Sequence, residues 1–475
     1  MQAAGFETEL VGGCVRDLLM AVAPKDWDLT TKARPEQILK IFPEGKYEND
    51  FGTVLIPCRQ TDKSLVDVVE LTTYRSEQGY SDRRHPDEIR FETVLAKDLE
   101  RRDFTINAMA LRLDKDGDQE FGSERFVLVD LFGGQKDIRK RVIRAVGEPV
   151  DRFKEDALRM MRALRFSAQL GFSLEPKTQR GIIKMAGSLK FVAKERIRDE
   201  LIKILDSNRP AEGIIGLHEA KLLQYIIPEL EQGVGVPQNH HHIYSVFKHN
   251  ILSLQYCPSS EWPVRLAALL HDVAKPKTRR LIDDQITFYN HEYAGAKMAD
   301  KILGRLKFKN EDRERVVNLV KNHMFYYNVG EVTAASVRRL ISKVGRDNLQ
   351  DLIYLRVADR LGSGTPKAMP YKLRHLQYMM EKVQHDPVSV KMLAVNGHDL
   401  MTALDLEPSP KIGAILDVLL GEVLEEPSRN ERIYLLDRAQ SLRASDLETL
   451  RQQARQLIEE KRNDDDQNLQ HRFKV

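Results

Sequence analysis

The sequence predicts a multidomain α/β + α chain in which a small mixed-sheet head precedes an all-helical remainder. Three observations carry this. A length of 475 residues exceeds what one hydrophobic core of ordinary size encloses. Strand-like alternation, broken by glycine and proline turns, fills residues 1–145. Beyond Val150 that signal fades and a helical period takes over.

The first strand is read in Phe6 to Val11, which runs into Gly12-Gly13, a tight turn opening an amphipathic helix at Cys14 to Leu19. After Pro24 comes Asp26-Trp27-Asp28-Leu29-Thr30-Thr31, then a helix around Pro35 to Ile41 and strands at Thr53 to Cys58 and Leu65 to Thr73. Alternation returns at Ala108 to Leu113 and Val127 to Asp130, completing a small mixed domain. Helices are expected at Asp156 to Gln169, Gln179 to Ala186 and Lys194 to Asp206. Gly233 to Pro237, followed by His240-His241-His242, marks one boundary, and Pro366 another. The chain thus divides into residues 1–145, 146–235, 236–365 and 366–475, and its polar run Glu459 to Asn468 is expected to fray.

Composition narrows the function classes. Hydrophobic residues at 42% suffice for buried cores, and charged residues at 31% suit a soluble, helix-rich protein. A net charge of +3 does not announce a nucleic-acid partner, so any phosphate-binding surface must be local. Local clusters exist in Arg101-Arg102 and in Arg139, Lys140, Arg141 and Arg144, continuing into Arg152, Arg159, Arg162 and Arg165, although a solvated helix face would also place the later ones. Cys14, Cys58 and Cys257 lie far apart, which gives neither a disulfide framework nor a zinc knuckle and fits a reducing cytoplasm. No apolar run has the length a bilayer needs, so no membrane role is expected.

Asp26 and Asp28 are two apart; on a strand such residues point to one side, so both carboxylates can face one point. Paired carboxylates suit Mg²⁺ and two-metal phosphoryl transfer, with Glu70 as the preferred third acid and Asp67 the lesser candidate. An Asp-x-Asp also occurs as surface decoration. Gly12-Gly13, at a strand-to-helix turn, can bring backbone N–H groups close to a triphosphate, or serve a steric turn alone.

These residues carry a resemblance. Leu10 to Leu19 (LVGGCVRDLL) with Lys25 to Thr31 (KDWDLTT) resembles the head signature of class II CCA-adding tRNA nucleotidyltransferases and their bacterial poly(A) polymerase relatives. Arg101 to Asn107 (RRDFTIN) is similar to a second motif of that family, Glu155 to Arg159 (EDALR) to its nucleotide-selecting motif, and Glu195 to Glu200 to a neck-helix motif. The resemblance covers roughly the first 210 residues. It implies that tRNA is the acceptor, that CTP and ATP are substrates, and that Gly12, Gly13, Arg16, Arg102, Asp103, Asn107, Arg152, Glu155, Asp156 and Arg159 bind nucleotide. Asp103 would contact the ribose 2′-hydroxyl, with Arg102, Asn107 and Arg152 assisting; a buried structural role is the alternative for Asn107.

Asp156 and Arg159, three apart, would share a helix face. A carboxylate accepting from the exocyclic amine of cytosine or adenine, beside a donating guanidinium, rejects uracil and guanine. The same spacing also makes an ordinary helical salt bridge. Arg75 to Pro86 resembles the flexible loop of enzymes that add all of CCA. Relatives usually carry a helix ahead of the first strand, so that strand is expected to be thinly supported here.

The second half holds His249, His271-Asp272, His291, His323 and Asp359, in the order of the HD phosphohydrolase superfamily, which they resemble. One metal would use His249, His271, Asp272 and Asp359, and His291 with His323 could add a second; Mn²⁺, Ni²⁺ or Co²⁺ suit such ligands. His242 is a minor phosphate-binding candidate. The reading is a nucleotidyltransferase head, helical neck, HD domain and helical tail adding CCA to tRNA. The alternatives are a poly(A) polymerase or an HD phosphohydrolase whose head only binds RNA.

Overall fold

Gly12 ends the first strand, β1 (Thr8–Val11), with φ 78° and ψ −135°, a conformation that only glycine adopts without strain, and α1 (Gly13–Leu19) starts there. The computed structural model describes residues 1–49, 52–59, 65–78, 88–114, 116–121, 123–238, 243–283, 285–385, 390 and 393–474. Chain contacts divide it into two compact units: Met1–His323 with Tyr354–Thr365, and Met324–Ile353 with Pro366–Val475.

In the first unit, β2 (Asp28–Thr31), α2 (Pro35–Ile41), β3 (Lys46–Asn49), β4 (Thr53–Arg59) and β5 (Leu65–Thr73) precede a hairpin, β6 (Arg75–Gln78) and β7 (Glu88–Phe91). Then come α3 (Leu95–Glu100), β8 (Ala110–Leu113), β9 (Gln119–Phe121) and β10 (Glu124–Val129). The main sheet runs β3-β4-β5-β2-β1-β8-β10-β9. Its β2–β5 pair is parallel and sets Asp28 opposite Glu70. α1 buries Cys14 and Val15 against Met109 and Leu111, while α2 buries Ile38 against Val54 and Leu71. The sequence does not reveal β3, β9 or the β6–β7 hairpin, because stretches such as Lys-Tyr-Glu-Asn are too polar and short for alternation to show.

Helices follow: α4 (Gly134–Lys140), α5 (Pro149–Glu155), α6 (Arg159–Leu170), α7 (Pro176–Met185), α8 (Lys194–Leu205) and α9 (Pro210–Glu219), with short parallel strands β11 (Val142–Ile143) and β12 (Ser173–Leu174) between them. Proline in the first turn of α5, α7 and α9 leaves no intrahelical donor unmet and presets φ. The expected helix from Asp156 is interrupted: Asp156 has φ −140°, and the chain restarts only at Arg159. After the single turns α10 (Leu223–Ile226) and α11 (Pro228–Glu231) come α12 (Val246–Gln255), α13 (Trp262–Leu270), α14 (Lys275–Thr278), the hairpin β13 (Arg280–Ile282) and β14 (Gln285–Thr287), α15 (His291–Arg305) and α16 (Asn310–Asn322).

The second unit contains α17 (Ala334–Val344), the start of α18 (Leu349–Gly362), α19 (Tyr371–His385), α20 (Gly397–Leu404), α21 (Pro410–Glu425), α22 (Arg432–Leu442) and α23 (Leu447–Phe473). Leu400, Ile415, Leu419, Leu435 and Leu450 form its core. The chain does pass from one unit to the other between Thr365 and Pro366, but residues 324–353 group with the C-terminal helices, where α17 packs on α19 and the Tyr327 hydroxyl hydrogen-bonds His375. Glu459 to Asn468 lies within α23, so the expected fraying is not what the backbone shows. No helix of the described residues is long and apolar enough to cross a membrane.

A buried polar contact ties the sheet together. The Glu9 carboxylate on β1, 1% exposed, accepts from the Tyr74 hydroxyl and, at 2.8 Å, from Arg112 Nε on β8. Tyr74→Phe should cost about 1–3 kcal/mol at neutral pH, because Glu9 loses a donor away from water. Burial, followed by the bond to Glu9, pushes Tyr74 above the usual phenol range. Its contribution is therefore complete below about pH 10 and is lost as pH rises further. Urea melts of parent and variant should converge on the alkaline side; a gap independent of pH would contradict this.

Candidate active site and metal centre

A Cβ placed on Gly12 would lie 3.0 Å from Arg102 Nη1 and 3.3 Å from Asp28 Oδ2. Glycine turn, guanidinium and carboxylate therefore share one small volume. Asp28 is the half-buried first residue of β2, whereas Asp26 is exposed in the bend before it. The expectation that both aspartates project from a strand is corrected, since strand pairing begins only at Asp28. Their charges still meet. Burial raises the Asp28 pKa, Arg102 opposes this, and Asp26 adds to it. Glu70 is raised by burial, then by Asp28, Glu48 and Asp26. Carboxylates gathered this way make a hard-oxygen set whose charge a divalent cation would neutralise. The Asp67 side chain, residues 79–87 of the polar loop and His242 lie outside the described residues.

Arg102 is anchored by the fully buried Asp98, 3.0 Å from Nη2, while its Nε is buried without a hydrogen-bond partner. Arg16 Nη1 donates to Asn107 Oδ1 at 2.9 Å, and Arg16 also pairs with Asp17. Asn107 thus has a buried partner of its own. Asp103 accepts from the Phe104 N–H at 2.9 Å and from Arg162 Nε at 2.7 Å. Burial opposes its ionisation, but Arg162 and Arg159 prevail and hold the carboxyl below the usual range.

Asp156 and Arg159 do not share one helix face as expected, and the alternative salt bridge between them is not formed either. Asp156 has left helical geometry; its carboxylate accepts from the Leu158 N–H at 3.0 Å and from both terminal nitrogens of Arg196, the nearer at 2.7 Å. Arg159 instead donates to Glu155 at 2.5 Å and to the carbonyls of Arg152 and Arg101. Arg152 reaches the Glu100 carbonyl and Glu155. The solvated-face alternative fails for Arg165, which is 8% exposed and pairs with the buried Glu200. Sequence spacing pointed to neither Arg196 nor Glu200 as a partner, because both pairs join segments far apart in the chain.

Elsewhere in this unit, His249 on α12, His271 and Asp272 after α13, His291 on α15, His323 after α16 and Asp359 on α18 converge as expected. The ligand atoms of His249, His271 and Asp272 lie within 4.8 Å of one another, as do those of Asp272, His291 and His323. Asp272 serves both groups, with Oδ2 3.1 Å from His249 and Oδ1 3.2 Å from His291. Asp359 Oδ1 is 3.4 Å from His249 Nε2. The Nδ1 atoms of His271, His291 and His323 meet the carbonyls of Ala268, Phe288 and Val320 at 2.7–2.9 Å, which turns each Nε2 inward. Burial, then His271, holds His323 down at about 3, so it offers a lone pair. The donor set fits divalent metal. Lys275, unforeseen although three residues beyond Asp272, lies 2.6 Å from Asp272 Oδ2 and 2.7 Å from Gln238.

Comparison with known proteins agrees with this architecture. Residues 8–144 match the family described as "Poly A polymerase head domain", residues 171–233 "Probable RNA and SrmB- binding site of polymerase A", and residues 256–363 "HD domain". Fold and site thus define a polymerase-type nucleotidyltransferase head joined to an HD domain. The chain is 37% identical over 351 residues to the A-adding tRNA nucleotidyltransferase of Deinococcus radiodurans, covering 69% of this chain and 76% of that one. It is 31% identical over 442 residues to the CCA-adding enzyme of Lactiplantibacillus plantarum, covering 92% and 93%. The crystal structure of the Bacillus stearothermophilus CCA-adding enzyme in complex with CTP aligns with TM-score 0.56 and 25% identity, over 93% of this chain and 95% of that chain. The chain belongs to the tRNA nucleotidyltransferase family of A-adding and CCA-adding enzymes.

Because Asp272 is shared by both ligand groups, in a chain already carrying Asp26→Ala and Asp28→Ala in the head, Asp272→Ala should abolish the remaining Mn²⁺ binding, whereas His291→Ala should lose only the Asp272–His291–His323 share. Metal content after dialysis, read by mass spectrometry, checks this. Equal loss in both variants, or none, would contradict the geometry.

Proposed function

We propose that this protein adds CCA to the 3′ end of tRNA, using CTP and ATP, in the cytoplasm. The observation that carries the reading is the meeting of Asp28, Arg102 and the Gly12 turn in one volume, with Glu70 opposite Asp28 and Asp26 electrostatically coupled to both. Asp26, Asp28 and Glu70 would hold Mg²⁺, whose charge favours the attacking 3′-hydroxyl and the leaving pyrophosphate. The chain's own groups do the rest. Gly12 and Gly13 let the backbone approach the triphosphate, and Arg102, whose Nη1 adjoins the Gly12 turn, would meet its phosphates. The RNA 3′-hydroxyl gives up its proton to solvent and its oxygen bonds the α-phosphorus, while the bond from that phosphorus to the bridging oxygen breaks and pyrophosphate leaves with the electron pair.

Asp103, kept charged by Arg162, suits a ribose hydroxyl. Arg152, Glu155, Asp156 and Arg159 would read the base edge, and Arg16 with Asn107 would steady the turn. In this role Asp156 must share its carboxylate between Arg196 and a base amine, since each oxygen accepts more than one bond. The likeness to CCA-adding enzymes along nearly the whole chain favours CCA addition over poly(A) synthesis. A second reading rests on the His249-to-Asp359 cluster: with Mn²⁺, Ni²⁺ or Co²⁺ bound, it would activate water against a phosphoester.

The test offers tRNA lacking CCA with each nucleotide separately. Two CMP and one AMP should be added in order; long tails from ATP alone would instead favour a poly(A) polymerase. Asp26→Ala with Asp28→Ala should reduce incorporation about 10³-fold, about 4 kcal/mol in the barrier, while sparing Mn²⁺-dependent phosphatase activity. Asp156→Ala with Arg159→Ala should admit UTP and GTP; unchanged preference would remove the proposed base readers.

A further inference from the structure

One aromatic ring lies among the groups assigned to the nucleotide. Phe166 on α6 is buried, and three guanidinium carbons sit near its centroid: Arg165 at 4.3 Å, Arg16 at 5.5 Å and Arg162 at 5.6 Å. Phe104, the neighbour of Asp103, meets the same ring edge-on at 5.8 Å and 82°. Each arginine leads to a different element. Arg16 belongs to α1, directly behind the glycine turn, and is bonded to Asn107. Arg162 holds Asp103, and Arg165 pairs with Glu200 on α8 at 3.0 Å.

Like charges gathered this way repel. Burial lowers the Arg165 pKa, Glu200 opposes that, and Arg162 and Arg16 lower it further. The face of a phenyl ring presents negative potential to such cations, which an aliphatic side chain of similar size does not.

We propose that Phe166 is a positioning residue for nucleotide addition: its ring collects Arg16, Arg162 and Arg165, holding α6 with Arg159 in register with the glycine turn and Asp103. The proposal rests on the nucleotidyl-transfer reading above. Phe166 acts through the arginines, so its influence belongs to nucleotide binding and choice more than to the bond-making step.

Two kinds of replacement separate ring electrostatics from packing. Mono-, di- and trifluorophenylalanine at position 166 drain the ring face progressively while nearly keeping its shape; Phe166→Leu removes the face altogether. Incorporation of CMP and AMP into tRNA lacking CCA gives KM and kcat, and the melting temperature monitors the fold. KM for CTP and ATP should rise stepwise with fluorination, reaching about tenfold in Phe166→Leu, with kcat changing far less and preference over UTP falling in parallel. A KM that stays flat across the fluorine series, in a parent chain that does incorporate nucleotides, would overturn the role of Phe166 and leave it as core packing. A parent chain that incorporates neither CMP nor AMP would overturn the nucleotidyl-transfer reading and this proposal with it.

Discussion

Desolvation of neighbouring carboxylates, with their repulsion added to it, is the constraint on which the head depends. Asp28 and Glu70 face each other across the parallel β2–β5 pair, Asp26 stands just before the strand, and the pKa values of Asp28 and Glu70 are raised. A fold stores such a cluster only if something offsets it. Arg102 does so in part, anchored by the buried Asp98, and a divalent cation would complete the balance. The glycine at position 12 follows from the same demand, because a Cβ there would crowd both the guanidinium and the acid.

The second half solves the opposite problem, assembling many bases around few acids. Four imidazoles converge on Asp272 and Asp359, and backbone carbonyls behind three of the rings fix which nitrogen faces inward. Lys275 adds a positive charge against Asp272, and Arg356 another against Asp359 at 2.8 Å.

Legibility in the sequence followed the range of the interaction. The glycine turn and the strand carrying Glu70 were readable because turn chemistry and strand alternation are local, whereas Asp26 was misplaced because strand pairing starts only at Asp28. The histidine cluster was readable from its order alone, although three helices and the ends of two more supply it. The Asp156–Arg159 pair misled for a physical reason: residues 149–170 keep helical composition throughout, yet Arg196, forty residues on, captures the Asp156 carboxylate and the backbone extends there. The second unit's claim on residues 324–353 was hidden for the same reason, as it depends on Tyr327 meeting His375. A net charge of +3 likewise concealed a set of buried and half-buried arginines, Arg16, Arg102, Arg162 and Arg165, each matched by an acid.

The most direct measurement is anomalous diffraction from Mn²⁺ in crystals grown with a non-hydrolysable CTP analogue. Metal between the side chains of Asp26 and Asp28, with the triphosphate lying along the bend at Gly12, is the expected result. Nucleotide and ion bound elsewhere, with those two carboxyl groups pointing apart, would contradict the account.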